Sequence, residues 1–143
     1  DSQHFVAEFI SKLSRDRDPI KAISLTVDTS VITAIGNDYG FENVFSRQLE
    51  ALISSKDIFL AITTSGKSKN ILKAIKKAKE KSATTIMLTS KKLRHSDTDC
   101  DLVIQVPGET TAQIQEVHLI IYHTLCYLTE KRLIKKNFIC YRS

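Results

Sequence analysis

The stretch Asp-Ile-Phe-Leu-Ala-Ile-Thr at residues 57–63 is the feature that most constrains the fold. Its five successive apolar residues are typical of a strand with both faces covered, as in a parallel sheet. An amphipathic helix is predicted directly afterwards, over residues 68–81, with its lysines on the solvated face. A buried strand followed at once by such a helix predicts a βα unit of an α/β sheet.

The same alternation of strands and helices continues along the chain. The other predicted strands are residues 21–27, 84–89 and 102–106, and the other predicted helices are residues 2–14, 30–35, 42–52 and 111–133. The helix at residues 30–35 is expected to stop at Gly36. The last helix carries an apolar stripe that is expected to face a partner surface: Ile114, Val117, Ile121, Leu125 and Leu128.

This order of elements predicts an α/β fold with a doubly wound parallel sheet flanked by helices. We expect residues 1–143 to form a single domain, with residues from about 134 to 143 as a C-terminal tail. In such sheets, ligands bind beyond the carboxyl ends of the strands. The loops that follow the strands are therefore where a site is expected.

Composition excludes several classes of protein. No apolar run approaches the roughly 20 residues of a membrane span. The formal charge of +5 comes mainly from lysines on one helix face, without interleaved aromatics, so we expect no nucleic-acid partner. The three cysteines have no metal-type spacing, and their odd number favours a reduced, cytosolic compartment.

The loop after the apolar strand has the composition of a phosphate site. It reads Thr-Thr-Ser-Gly-Lys-Ser over residues 63–68 and leads directly into a helix. Hydroxyl donors, close backbone approach at Gly66 and the positive end of a helix dipole can together hold a phosphate. A nucleotide P-loop is excluded, because its first glycine is replaced by Ala61. The alternative is that Ser68 is only a helix N-cap within a polar turn.

Histidines and carboxylates suggest a second kind of chemistry. His4 and Glu8 are four residues apart and share one face of the first helix. The last helix carries Gln115, Glu116, His118 and His123. Two histidines and a carboxylate can bind a divalent metal or transfer protons. The alternative is an exposed His/Glu pair, with His118 and His123 at a helix packing surface.

Four stretches together carry a family signature. They are residues 2–8 (SQHFVAE), residues 28–30 with 34–41 (DTS and AIGNDYGF), residues 63–68 (TTSGKS), and residues 114–118 with His123 (IQEVH). In this order they resemble the phosphoheptose (sedoheptulose 7-phosphate) isomerases, which have the flavodoxin-like SIS sugar-isomerase fold. The resemblance extends from residue 1 to about residue 130. It implies that the family's N-terminal helices and first strand are absent from this chain.

The resemblance implies roles for individual residues. The residues expected to hold the phosphate are Thr63, Thr64, Ser65 and Ser68, and those expected to contact the sugar are Asn37 and Asp38. The residues expected to bind a zinc ion are His4, Glu8, Gln115 and His123. Glu8 and Gln115 would also contact the substrate, and Glu8 and His123 would be the catalytic proton-transfer pair.

Helix geometry constrains Gln115 as a ligand of the same ion as His123. It precedes His123 by eight residues, which on a straight helix is a rise of about 12 Å and a rotation of roughly 80°. Both can reach one ion only if Gln115 leans from the first turn or if a neighbouring subunit intervenes. The second option fits the resemblance, which implies a homotetramer with sites at subunit interfaces.

The activity implied by the resemblance is conversion of sedoheptulose 7-phosphate to D-glycero-D-manno-heptose 7-phosphate through an enediol. The product would supply heptose for bacterial lipopolysaccharide or capsule. An alternative is a branch of the same fold that binds the replication initiator without catalysis, which this chain resembles at residues 3–5 and 114–116. That branch lacks equivalents of Glu8 and His123, so the enzyme is favoured. Another alternative is a sugar-phosphate sensor, which would need the hydroxyl loop but no proton-transfer pair.

Overall fold

The computed structural model describes residues 1–91 and 98–141. Residues 142 and 143 of the predicted tail lie outside these ranges. The elements are α1 (Ser2–Ile10), α2 (Thr29–Tyr39), a 3-10 turn (Phe41–Asn43), α3 (Ser46–Leu52), β1 (Ile58–Ile62), α4 (Lys69–Glu80), β2 (Thr84–Ser90), β3 (Leu102–Val106) and α5 (Thr111–Lys135). The described residues contain no helix that is long and apolar enough to cross a membrane.

The chain divides into two compact units. The sheet unit comprises residues 28–117, and the terminal unit comprises residues 1–27 together with 118–143. The helix α5 begins in the sheet unit and continues into the terminal unit.

The sheet unit is built on three parallel strands in the order β1-β2-β3. Leu60 pairs with Ile86, and Leu88 pairs with Ile104, so β2 is central. The core beside the sheet contains Ala61, Ile75 of α4, Met87 and Cys100. The predicted α/β class, with a parallel sheet flanked by helices, is confirmed.

The strand predicted at residues 21–27 is wrong. This segment has no strand structure, and the described sheet has three strands. The hydroxyls of Ser24 and Thr26 instead hydrogen-bond with the hydroxyl of Ser2, at 3.0 and 3.1 Å. A strand is stabilised by ladder hydrogen bonds to a neighbour. The apolar pattern of residues 21–27 does not show whether a neighbouring strand is there to pair with them.

The boundaries of several helices also differ from the prediction. The helix α2 passes through Gly36 and ends before Gly40, whose φ of +85° favours glycine. One interior glycine costs only about 1 kcal/mol relative to alanine, which does not stop a helix. The first helix ends at Ile10, and the region predicted as one helix at residues 42–52 is a 3-10 turn followed by α3.

The buried face of α5 is rotated relative to the predicted stripe. Leu128 is exposed, and Val117, Ile121 and Leu125 are only half-buried. The fully buried positions recur every four residues: Ile114, His118, Tyr122, Cys126 and Glu130. A histidine and a glutamate occupy this face, so a pattern search restricted to apolar residues selects the adjacent face instead.

The terminal unit is tied together by a buried ion pair. Arg17 donates from Nε to Glu130 Oε2 at 2.8 Å, and both side chains are buried. Its guanidinium also donates to the backbone oxygens of Glu8 and Phe9, at 2.7 and 2.9 Å, near the end of α1. The residues after α5 pair with this region through an antiparallel bridge between Arg17 and Tyr141.

Candidate active site

The terminal unit brings together three of the predicted metal ligands. His4 and Glu8 lie one turn apart on α1, with His4 Nε2 3.2 Å from Glu8 Oε1. His123 of α5 places its Nε2 3.4 Å from His4 Nε2. One ligand atom from each of the three residues lies within 4.8 Å of the others. The cluster is partly open, because His4 is exposed while Glu8 and His123 are half-buried.

The three side chains fit a divalent metal. Two imidazoles and a glutamate form one of the common ligand sets of zinc. Ligand atoms about 2.0–2.1 Å from a tetrahedral ion lie about 3.3–3.4 Å from each other. The separations of 3.2 and 3.4 Å from His4 Nε2 are close to that edge length, and the ligand atoms of Glu8 and His123 lie within 4.8 Å of each other. The alternative, an exposed His/Glu pair with His118 and His123 at a helix packing surface, agrees with the burial of His118, whereas His123 lies against His4.

Two residues around this cluster were not predicted from the sequence. The hydroxyl of Tyr122 lies 2.9 Å from His4 Nδ1, and burial raises the pKa of that hydroxyl, as do Cys126 and Glu8. Arg17 holds the backbone oxygen of Glu8. The position of Tyr122 next to His123 in the sequence was the signal that could have placed it near the cluster. Nothing in the sequence links Arg17 to Glu130.

The sheet unit contains the predicted phosphate loop, at the carboxyl end of β1. Gly66 has a φ of +68°, and its N–H donates to Thr63 Oγ1 at 3.3 Å. Lys67 N–H donates to Ser65 Oγ at 3.2 Å. Ser68 is the N-cap residue of α4, but within the described part of the chain its side chain makes no capping hydrogen bond. The loop therefore fits both interpretations made from the sequence, a phosphate site and a polar turn with Ser68 at the N-cap of α4.

A cleft of about 250 Å³ opens beside this loop. Its lining residues are Thr64, Ser65, Lys67, Ser90, Glu109, Thr111 and Ile114. Thr64 and Ser65 were predicted from the sequence, whereas Lys67, Ser90 and Glu109 were not. The position of Ser90 follows from the register, since Ile62 pairs with Leu88 and the carboxyl ends of β1 and β2 are therefore adjacent. Lys67 adds a positive charge beside the hydroxyls.

The remaining predicted residues lie elsewhere on the sheet unit. Asn37 and Asp38 are exposed near the end of α2, where Asn37 Nδ2 donates to Asp38 Oδ1 at 2.7 Å. Gln115 is exposed on the second turn of α5. A second cleft, of about 300 Å³, is lined by Tyr39, Asn43, Ser46, Arg47, Glu50 and Lys77. It contains none of the residues predicted from the sequence.

Comparison with known proteins agrees with this fold. Residues 1–90 match the SIS domain, and the chain belongs to the SIS-domain family. A phosphoheptose isomerase of Campylobacter jejuni is 46% identical over 140 residues, covering 98% of this chain and 70% of the relative. One from Clostridium acetobutylicum is 48% identical over 133 residues, covering 93% and 68%. Within the SIS-domain family, the chain thus belongs to the phosphoheptose isomerases.

A solved structure supports the same assignment. The phosphoheptose isomerase of Neisseria gonorrhoeae superposes with a TM-score of 0.79 at 40% identity, covering 90% of this chain and 68% of that one. The predicted family, and with it membership of a class of sugar-phosphate isomerases, is confirmed.

Proposed function

We propose that this protein converts sedoheptulose 7-phosphate to D-glycero-D-manno-heptose 7-phosphate. The single observation that carries the proposal is the cluster of His4, Glu8 and His123, because it supplies a carboxylate and an imidazole of the types that proton transfer requires. The names of the relatives indicate a phosphorylated heptose as substrate. The protein would act in the cytoplasm. Its product would be used to make surface polysaccharide such as lipopolysaccharide or capsule.

The reaction moves a proton between neighbouring carbons through an enediol. Glu8, whose carboxylate is half-buried, would act as the base that takes the proton from carbon. His123 would act as the acid that exchanges a proton with the substrate oxygens, through a ring nitrogen that does not bind the metal. The His123 Nε2 atom lies 3.4 Å from His4 Nε2, and this contact holds the His123 ring in place in the folded protein.

Zinc is the cofactor we propose for this cluster. His4, Glu8 and His123 would hold it, and Gln115 is proposed as a further ligand. A bound ion would supply Lewis-acid polarisation of a substrate oxygen. The residues themselves bind and orient the substrate and move the protons.

The loop at residues 63–68 is proposed to bind the phosphate, and Asn37 and Asp38 to bind the sugar. The exposed side chains of Ser65 and Ser68, the second of which makes no capping hydrogen bond within the described residues, and the start of α4 support this role. Lys67, which lines the same cleft, would balance part of the phosphate charge.

The test of the proposed function is turnover of sedoheptulose 7-phosphate by the intact protein, measured with and without zinc. We expect turnover that falls when a chelator removes the metal. If no turnover is seen under either condition, the proposal fails and the non-catalytic initiator-binding interpretation becomes the better one.

Replacing both Ser65 and Ser68 by alanine should weaken binding of the sugar phosphate. Each lost hydrogen bond to a charged group is worth about 1.5–3 kcal/mol. The melting temperature should barely change, because both side chains are exposed. The measurement is calorimetric titration with sedoheptulose 7-phosphate, with Ser55→Ala, at an exposed turn before β1, as the matched control. An affinity equal to that of the control would refute the phosphate assignment.

We further propose a homotetramer with sites at subunit interfaces. Large apolar side chains on α5 remain exposed, among them Ile120, Tyr127 and Leu128, at 63%, 43% and 55%. Contiguous exposed apolar surface commonly marks an interaction site. Light scattering at micromolar concentration should therefore give an oligomer, and Ile120→Asp should weaken it. A monomeric parent protein would contradict this proposal.

A further inference from the structure

Tyr122 contacts the candidate metal cluster from within the core. Its side chain is only 1% exposed, whereas the side chain of His4 is 47% exposed. The Tyr122 hydroxyl lies 2.9 Å from His4 Nδ1, and the two rings meet edge to face with centroids 5.5 Å apart. The other nitrogen, His4 Nε2, faces Glu8 and His123. The two nitrogens of His4 therefore have separate partners.

We propose that Tyr122 is a positioning residue that holds the His4 imidazole with Nε2 toward Glu8 and His123. This inference rests on the proposed function, because it assigns His4 Nε2 as the metal-binding atom. A half-exposed imidazole can rotate about its last side-chain bond, and the two orientations place nitrogen and carbon in exchanged positions. In the rotated ring a C–H would face the Tyr122 hydroxyl, and the hydrogen bond would be lost.

A hydroxyl is suited to this position because it can both donate and accept. When His4 Nε2 carries its proton and donates to Glu8, Nδ1 is an acceptor and Tyr122 donates to it. When the Nε2 lone pair is used for a metal, Nδ1 carries the proton and donates to Tyr122. A partner for the second nitrogen that fixes the ring is the usual arrangement around a metal-binding histidine. The same orientation of His4 is thus kept in both states.

The test is the replacement Tyr122→Phe, which removes the hydroxyl and keeps the ring. Calorimetric titration with zinc should show an affinity about 10–100-fold lower than that of the parent, the usual effect of removing such a partner. The control is Tyr39→Phe, at an exposed tyrosine of the sheet unit, which should bind zinc as the parent does. Melting temperatures should be similar for all three proteins. Equal zinc affinity in Tyr122→Phe and the parent would overturn the proposal.

A second measurement does not depend on bound metal. In the zinc-free protein, at a pH where imidazole is neutral, the ring ¹⁵N signals of His4 should change in Tyr122→Phe and stay unchanged in Tyr39→Phe. Unchanged His4 signals in Tyr122→Phe would also overturn the proposal. A parent protein that binds no zinc would count against the proposed metal site, while the ¹⁵N signals would still decide whether Tyr122 orients His4.

Discussion

Replacing Glu8 by glutamine should lower the rate of isomerisation by at least ~100-fold. Glutamine keeps the size of the side chain and can still hydrogen-bond with His4, but it cannot take a proton from carbon. The loop at residues 63–68, which is proposed to bind the phosphate, is unchanged in this variant, so kcat should fall far more than KM rises. The measurement is steady-state turnover of sedoheptulose 7-phosphate by the intact protein at saturating zinc.

A matched control distinguishes the loss of the proposed base from the loss of one negative charge elsewhere on the protein. Glu80→Gln removes an exposed carboxylate at the end of α4 and should leave the rate unchanged. His123→Asn, which removes the imidazole, should cost at least ~100-fold as well. Near-parental turnover in Glu8→Gln or in His123→Asn would show that the replaced residue is not catalytic.

Replacing Glu130 by alanine should lower the free energy of unfolding by about 3–5 kcal/mol. Glu130 accepts from Arg17 at 2.8 Å, and the two side chains are 4% and 1% exposed. Without Glu130, the described residues offer the buried guanidinium no opposite charge at that distance, and such an uncompensated charge is strongly unfavourable. Because Arg17 also holds the backbone oxygen of Glu8, the change should loosen the end of α1 as well.

Urea denaturation at a fixed protein concentration measures this effect. The control is Glu80→Ala, which breaks the exposed Lys77–Glu80 pair of nearly equal length, 2.7 Å. An exposed pair of this kind contributes at most about 1 kcal/mol. If Glu130→Ala does not fold, Glu130→Gln is the milder variant and should still cost more than the control. A cost no larger than that of Glu80→Ala would contradict the role given to the buried pair.

Most of the sheet unit could be predicted from local patterns. The strand predicted at residues 102–106 agrees with β3 residue for residue, and the helix predicted at residues 68–81 differs from α4 by one residue at each end. These segments have strong periodicity and clear end signals. The segment at residues 21–27 has a similar apolar pattern but forms no strand. Its conformation depends on a neighbouring strand, which is a property of the whole fold.

The sequence by itself determined the family, the α/β class and the residue types available for chemistry. The hydroxyl loop at residues 63–68 and the His4–Glu8 pair could be recognised because each is contiguous or spans one helical turn. The tertiary structure alone decided that His123 meets His4, that Tyr122 contacts Nδ1 of His4, and that Arg17 pairs with Glu130. These partners are more than 100 residues apart in the chain. Local spacing carries no information about such contacts, because they form only when α1 and the residues that follow it pack against α5.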